Sequence, residues 1–356
     1  MVAAGGTAGH VVPVIAVADE LRASGAEVSF LGTRERIEAE LVPAAGYEID
    51  FIKVRGIDRR NPLRAARAGL EALAAVGAAR KALRRRGADV VMGGGGFVAG
   101  PAGLAAALTR TPLVLTEADS HMGLANRLLA GRARRVCLGF PIAGREGERY
   151  AVTGRPVPAG VVGADRTAAR ERLEIPAEAR CLMVFGGSQG ARSINFAALE
   201  AFAERPGRSF RVIHLSGRRD HEELAVRLAA APYKEGYRLS PYEPDFGAIL
   251  AASDLVLGRS GGSVFEVTAA GLPSILVPYP HATADHQAAN AEWMREQGAA
   301  TVIADAELDA ARLATEVEGL FGDPARLQTM AGEARRIAKP EAARTIADCV
   351  LEAARG

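Results

Sequence analysis

Two glycine-rich loops half a chain apart constrain this sequence most. Gly5-Gly6-Thr7-Ala8-Gly9-His10 stands at the start, and Gly186-Gly187-Ser188-Gln189-Gly190 follows the apolar run Leu182-Phe185 near the midpoint. Each leads into a helix-like segment. Glycines let the backbone approach a ligand, and a helix N-terminus offers unpaired N–H groups to an anion. The repeat of this corner predicts two similar units, and 356 residues suit two domains. Further apolar runs at Val28-Leu31, Val90-Met92, Leu113-Leu115, Arg135-Leu138, Arg211-Leu215, Leu255-Leu257 and Ser274-Val277 alternate with helical patterns. The fold class expected is therefore α/β, with two doubly wound parallel sheets. The join is expected at Thr153-Gly154-Arg155-Pro156-Val157-Pro158, where two prolines end regular structure.

Composition removes other classes. With 49% apolar and 24% charged residues the chain is not a disordered one, and a net charge of +2 carries no nucleic-acid signature. Cys137, Cys181 and Cys349 are far apart and form no CxxC pair, which fits a reducing compartment without structural zinc. No leader-peptide pattern is expected ahead of Gly5. Val90 to Thr109 is uncharged and long enough to span a bilayer, but its six glycines and Pro101 read as strand, loop and helix start. Arg55 to Arg86 holds ten basic residues against Asp58 and Glu71, with an apolar middle. It reads equally as a helix resting on an anionic membrane surface or as a solvated basic helix.

Five segments carry candidate chemistry. The first loop is not GxGxxG, no acid ends Leu31-Gly32-Thr33-Arg34, and no GK[ST] follows, so neither a dinucleotide fingerprint nor a P-loop is present. His10 stands at the helix start, where the dipole favours a neutral imidazole. The second loop, with the Ser188 hydroxyl, suits a diphosphate. In Arg259-Ser260-Gly261-Gly262-Ser263-Val264-Phe265-Glu266, the acid closes a capping box with Ser263 or accepts from both hydroxyls of a ribose. His281-x-x-x-Asp285-His286-Gln287-x-x-Asn290 offers amides for sugar hydroxyls, with metal ligation the weaker alternative. Thr116-Glu117-Ala118-Asp119-Ser120-His121 places two carboxylates and a histidine at a strand end, either as N-capping acids or as groups that take a hydroxyl proton.

The ordered set GGTAGHVVPVIAVADEL, GGFVAGPAGLAAA, GLANRLLA, VTGRPVP, FGGSQGARSIN and RSGG…E…AAGLP…DHQ..NA resembles the MurG family, the UDP-N-acetylglucosamine transferases of peptidoglycan synthesis. The resemblance runs over nearly the whole chain. It implies the GT-B architecture, two Rossmann-like domains facing across a cleft: 1–157 for the acceptor and membrane, 158–336 for the donor, and a returning C-terminal helix within 337–356. It implies inverting, metal-independent transfer of GlcNAc from UDP-GlcNAc to the 4-hydroxyl of MurNAc in lipid I, giving lipid II on the cytoplasmic face of the membrane, with no cofactor. Anionic leaflet lipids would meet Arg55–Arg86.

Carried onto this sequence, the family pattern groups Gly187, Ser188, Gln189, Arg155, Tyr242, Glu243, Arg259, Ser263, Glu266, Gln287 and Asn290 with the donor. Glu266 would hold the ribose, Gln287 the sugar, and backbone near Tyr242 and Glu243 the uracil. Gly6, Thr7, Gly9, Gly95, Gly96 and Asn126 go with the acceptor. His10 is the expected base, with Asp119 and Glu117 as rivals. The chain departs from the family at Thr116–Asp119, usually HEQN, so a carboxylate replaces an amide at Asp119. Arg155 replaces the Asn of NPV, and Pro158 a basic residue. The alternative is a GT-B transferase with another lipid or small-molecule acceptor. An epimerase of similar architecture and a silent nucleotide-sugar sensor are the remaining readings.

Overall fold

The computed structural model describes residues 1–54, 62–187, 189–282 and 285–356, without the side chains of residues 8, 62–70 and 72. Ser188 and Arg55, Arg59 and Arg60 therefore lie outside the described residues, as do the side chains of Arg64 and Arg67.

Two compact units form, Met1–Val157 with Lys339–Gly356, and Pro158–Ala338. In the first, β1 (Val2–Ala3), β2 (Ser29–Gly32), β3 (Glu48–Phe51), β4 (Val91–Gly93), β5 (Leu113–Glu117), β6 (Arg135–Leu138) and β7 (Tyr150–Val152) make one parallel sheet in the order 3-2-1-4-5-6-7. In the second, β8 (Cys181–Phe185), β9 (Arg211–Leu215), β10 (Tyr237–Ser240), β11 (Leu255–Gly258), β12 (Ser274–Leu276) and β13 (Ala300–Val302) run 10-9-8-11-12-13, again all parallel. Counted from its own first strand, the second sheet repeats the order 3-2-1-4-5-6 of the first. Strand order reverses between β1 and β4, and between β8 and β11. Ligands of open α/β sheets bind at the carboxyl ends beside such reversals. The glycine loops follow β1 and β8, so the topology puts both at these points.

Central strands are buried on both faces and read as continuous apolar runs; all five residues of β8 and all four of β11 are buried. The apolar-run criterion misses β1, which has two residues, and the outer strands β3, β7, β10 and β13. Those outer strands are mostly half-exposed or exposed, with one buried position each in β10 and β13 and none in β3 and β7, so they carry no continuous apolar run.

Helix Ala342–Arg355 packs against helix Ala8–Ala23, burying Ala342, Ile346, Ala347, Val350 and Ala353 in the core on that face of the first sheet. The other face is covered by helices Pro62–Arg86, Gly96–Thr109 and Leu124–Leu129. Helix Pro62–Arg86 buries Ala75, Val76, Ala79, Ala82 and Leu83, a stripe at helical spacing. That stripe faces the unit's own core, while Leu73 on the same helix is exposed. Arg85 and Arg86 pair with Asp50 at 2.6 and 3.0 Å, and Arg86 also reaches Glu48. The stretch Val90 to Thr109 forms β4 and helix Gly96–Thr109, and no helix among the described residues is long and apolar enough to cross a membrane.

Candidate active site

In the N-terminal unit the chain leaves β1, turns at Gly6 with φ +108°, and enters helix Ala8–Ala23. An L side chain rarely adopts that φ. The turn is pinned by a residue the motif reading passes over. Glu38 is fully buried, and its Oε2 accepts from the Gly6 N–H at 3.0 Å. Its Oε1 accepts from the Thr33 N–H at 3.0 Å and the Thr33 hydroxyl at 2.6 Å. A buried carboxylate is tolerated only when hydrogen-bonded in this way. The ends of β1 and β2 are joined through it.

His10 lies in the first turn of the helix, its Nδ1 hydrogen-bonded with the Thr7 hydroxyl at 3.1 Å. Its ring packs on Gly95 at φ +89°, where a Cβ would come within 2.7 Å of the His10 Cδ2. Gly95 is required here by both conformation and space. Burial lowers the His10 pKa below its ordinary value; the Asp119 charge opposes this and the Arg155 charge adds to it. The imidazole is therefore largely neutral at pH 7, the form that accepts a proton. Arg155, grouped with the donor by the sequence, sits in this unit and donates from Nη2 to the Gly9 carbonyl at 2.9 Å. Gly9, His10, Gly95, Thr116, Glu117 and Arg155 line one small recess.

Glu117 is held by hydrogen bonds at both carboxylate oxygens. Its Oε2 accepts from the Gly123 N–H at 2.8 Å and from Asn126 Nδ2 at 2.9 Å, and its Oε1 from the Asp119 N–H at 3.4 Å. Burial raises its pKa against those bonds. Asn126 is itself buried and also donates to the Thr116 carbonyl at 2.9 Å. Through its Nδ2, Asn126 braces the turn that carries Asp119. Of the three candidate bases, only His10 and Asp119 remain uncommitted to such a clamp.

In the C-terminal unit Gly186, Gly187, Gln189 and Gly190 follow β8. Gly190 takes φ +76° against the Ser216 carbonyl, and Gly217 takes φ +74° against Gly190. Beneath them runs a buried chain of hydrogen bonds. Asn195 donates from Nδ2 to the Ser216 carbonyl at 2.9 Å and to Asp220 at 3.0 Å. Its Oδ1 therefore accepts, so the His214 Nε2, 3.0 Å away, carries the proton. His214 Nδ1 then accepts from the Tyr237 hydroxyl at 2.7 Å. Burial pushes the His214 pKa down to about 3, keeping it neutral. The only sequence signal for this network is a histidine inside the apolar run of β9.

After β11, the Arg259 guanidinium donates to the carbonyls of Val277 at 3.0 Å and Pro278 at 3.1 Å, to Asp305 at 2.5 Å and to the Ser193 hydroxyl at 2.9 Å. Asn290 is fully buried and donates to the Ser260 carbonyl at 3.0 Å. Both residues tie the loop after β11 to neighbouring segments. Gln287 is half-buried; its Oε1 accepts from the Tyr279 N–H at 3.0 Å, and its Nε2 lies toward Gly261. Ser263 makes no side-chain capping bond, so its half of the capping box is absent, and Glu266 stands half-buried in the first turn of helix Val264–Ala269. Tyr242 is exposed beyond β10, and Glu243 accepts from the Asp245 N–H at 3.2 Å. Among the described residues no three His, Cys, Asp or Glu side chains converge as a metal set.

Residues 1–138 match the glycosyltransferase family 28 N-terminal domain, and residues 181–347 match its C-terminal domain. The crystal structure of Acinetobacter baumannii MurG superposes with a TM-score of 0.80 at 29% identity, over 99% of both chains. A Nitrosococcus oceani relative is 41% identical over 358 residues, 100% of this chain and 99% of its own. That relative is named UDP-N-acetylglucosamine–N-acetylmuramyl-(pentapeptide) pyrophosphoryl-undecaprenol N-acetylglucosamine transferase. The chain belongs to the MurG family. A Pseudomonas aeruginosa relative of the same name is 40% identical over 100% of this chain and 99% of its own. The two parallel sheets are thus the two Rossmann-like domains of the GT-B plan in a MurG-family member. A UDP-GlcNAc 2-epimerase from Neisseria meningitidis shares the fold alone, at a TM-score of 0.65 and 13% identity.

Proposed function

We infer that this chain moves N-acetylglucosamine from UDP-GlcNAc to the 4-hydroxyl of MurNAc in lipid I, giving lipid II with inversion at the anomeric carbon. Full-length likeness to transferases of that name carries the reading. The N-terminal unit takes the acceptor, with the Gly6–Gly9 loop on its diphosphate and Gly95 and Gly96 beside it. His10, neutral through burial, accepts the hydroxyl proton, and Asp119 stabilises the imidazolium that forms. The C-terminal unit takes the donor, with the Gly187–Gln189 loop on the phosphates, Glu266 on the ribose and Gln287 on the sugar. Backbone N–H groups at the helix start stabilise the leaving UDP. Arg259, Asn290 and the Asn195–His214 network position these groups. Incubation with UDP-GlcNAc and a short-chain lipid I analogue releases UDP and yields the disaccharide in equal amounts; UDP release without that product would sink the assignment.

Glu266→Ala weakens UDP-GlcNAc binding about 10- to 100-fold, the worth of hydrogen bonds to a charged group. Calorimetric titration reads this, and the unfolding midpoint stays near wild type. A lowered midpoint with unchanged affinity would return Glu266 to helix capping.

The membrane face of this reading is broader than the basic helix. Leu73, Leu104, Leu108, Leu124 and Leu128 are exposed on three helices that pack side by side, with Arg80, Lys81, Arg84, Arg110 and Arg127 also exposed on or next to them. Each basic residue near an anionic surface contributes about 1 kcal/mol. The triple change R80E/K81E/R84E therefore lowers partition onto anionic vesicles at least ~100-fold, and added salt weakens wild-type binding. Sedimentation indifferent to both would place the contact elsewhere.

A further inference from the structure

Two cysteines that the transfer reaction does not use stand side by side in the N-terminal unit. Cys137 on β6 is buried, and Cys349 on helix Ala342–Arg355 packs against the same core cluster. Helix Ala342–Arg355 packs on β6, and the two thiols are close enough to shift one another's ionisation. Cys349 is half-exposed and opens onto a cavity of about 450 Å³. Arg134, Arg135 and Arg149 line that cavity against Glu148 and Glu352, so its balance is positive. The Arg134 guanidinium donates to the Gly356 carbonyl at 2.6 Å, and Arg135 donates to the Glu148 carbonyl.

We propose that Cys349 and Cys137 form a thiol–disulfide exchange site, fed through this arginine-lined cavity by small disulfides bearing carboxylates. The Cys349 thiol is the more acidic of the two, chiefly through its interaction with the neighbouring Cys137 thiol; Arg135 adds to the effect, and burial opposes it. The thiolate is the nucleophile in such exchange. It attacks one sulfur of the external disulfide. That S–S bond breaks, a mixed disulfide forms on Cys349, and the other half leaves as a thiolate that takes up a proton. Cys137 then loses its proton and attacks the Cys349 sulfur, expelling the second external thiol. Two protein thiols are oxidised and one external disulfide is reduced to two thiols. The product ties β6 to the C-terminal helix. Cys137 and Ile346 of that helix both line the recess behind His10, so the bond forms next to the acceptor side of the unit. Cys181 is the internal control: it is buried, and burial pushes its thiol up to about 12.

The test is exposure of the full chain, in native buffer, to glutathione disulfide, followed by peptide mass mapping. A Cys137–Cys349 disulfide forms while Cys181 stays reduced, and C137S stops at a glutathione adduct on Cys349. Cystamine, a disulfide of opposite charge, reacts at least ~10-fold more slowly, the size of a local electrostatic steering effect. R135E/R149E erases that preference. The cystamine comparison needs no variant, so it holds even if C137S fails to fold. A reduced Cys349 after full exposure, equal reactivity of Cys181, or equal rates for the two disulfides would each overturn the proposal.

Discussion

Replacing His10 with alanine lowers turnover at least ~100-fold while UDP-GlcNAc affinity stays at the wild-type value. The magnitude is the low end of what a positioned general base contributes. Affinity is spared because the groups proposed to bind the donor lie in the other unit's loops. The pH profile carries a second signature. Burial depresses the His10 pKa below 6.5, so the base form already dominates at pH 7. Activity is then lost as pH falls through that depressed value, with the acid limb centred below 6.5. Asp119→Asn removes the charge that opposes the depression, so it moves the limb further toward acid. Single-turnover kinetics, in which chemistry limits, separate this from slow product release. Near-wild-type turnover of the alanine variant under those conditions would transfer the role to Asp119.

Glu38→Ala destabilises the N-terminal unit by about 3 kcal/mol or more. Its carboxylate takes three donors, each bond to a charged group being worth roughly 1.5–3 kcal/mol, and all three donors become unsatisfied inside the protein. The freed Gly6 N–H also loosens the turn ahead of His10, so acceptor KM rises with donor KM unchanged. The assay has a built-in address. The single tryptophan, Trp293, lies in the C-terminal unit, so its fluorescence follows that unit, while far-ultraviolet ellipticity follows both. Denaturant unfolding of the variant shows ellipticity lost well before fluorescence changes. Coincident curves at the wild-type midpoint would show that water replaces the carboxylate at little cost.

The parts legible in the sequence were those with a local cause. Gly6, Gly95 and Gly190 announce backbone conformations that only glycine takes without strain. The buried strands β4, β8 and β11 announce themselves because covering both faces makes every position apolar. Edge strands gave no such signal. Glu38 looks like an ordinary acid in the first turn of a short helix, and its partner Gly6 is 32 residues away. Asn126, Arg259 and Asn290 have the residue types of ligand-binding groups, and their hydrogen bonds to backbone carbonyls of other segments are not visible in the sequence. The apolar run of helix Pro62–Arg86 has the periodicity of a membrane face and of a core face alike. Packing turned Ala75, Val76, Ala79, Ala82 and Leu83 to the core and left Leu73 and leucines of the neighbouring helices exposed.

By itself the sequence determined the class of fold, the repeat of one strand–loop–helix corner and the family, since glycine placement and apolar runs depend on neighbours along the chain. The tertiary structure alone decided which polar groups face outward, that burial is what depresses the His10 pKa, that Arg155 lies beside Gly9, and that Cys137 meets Cys349 from 212 residues away. Those properties arise from burial and from contacts between distant segments, and neither is a property of a residue's neighbours in sequence.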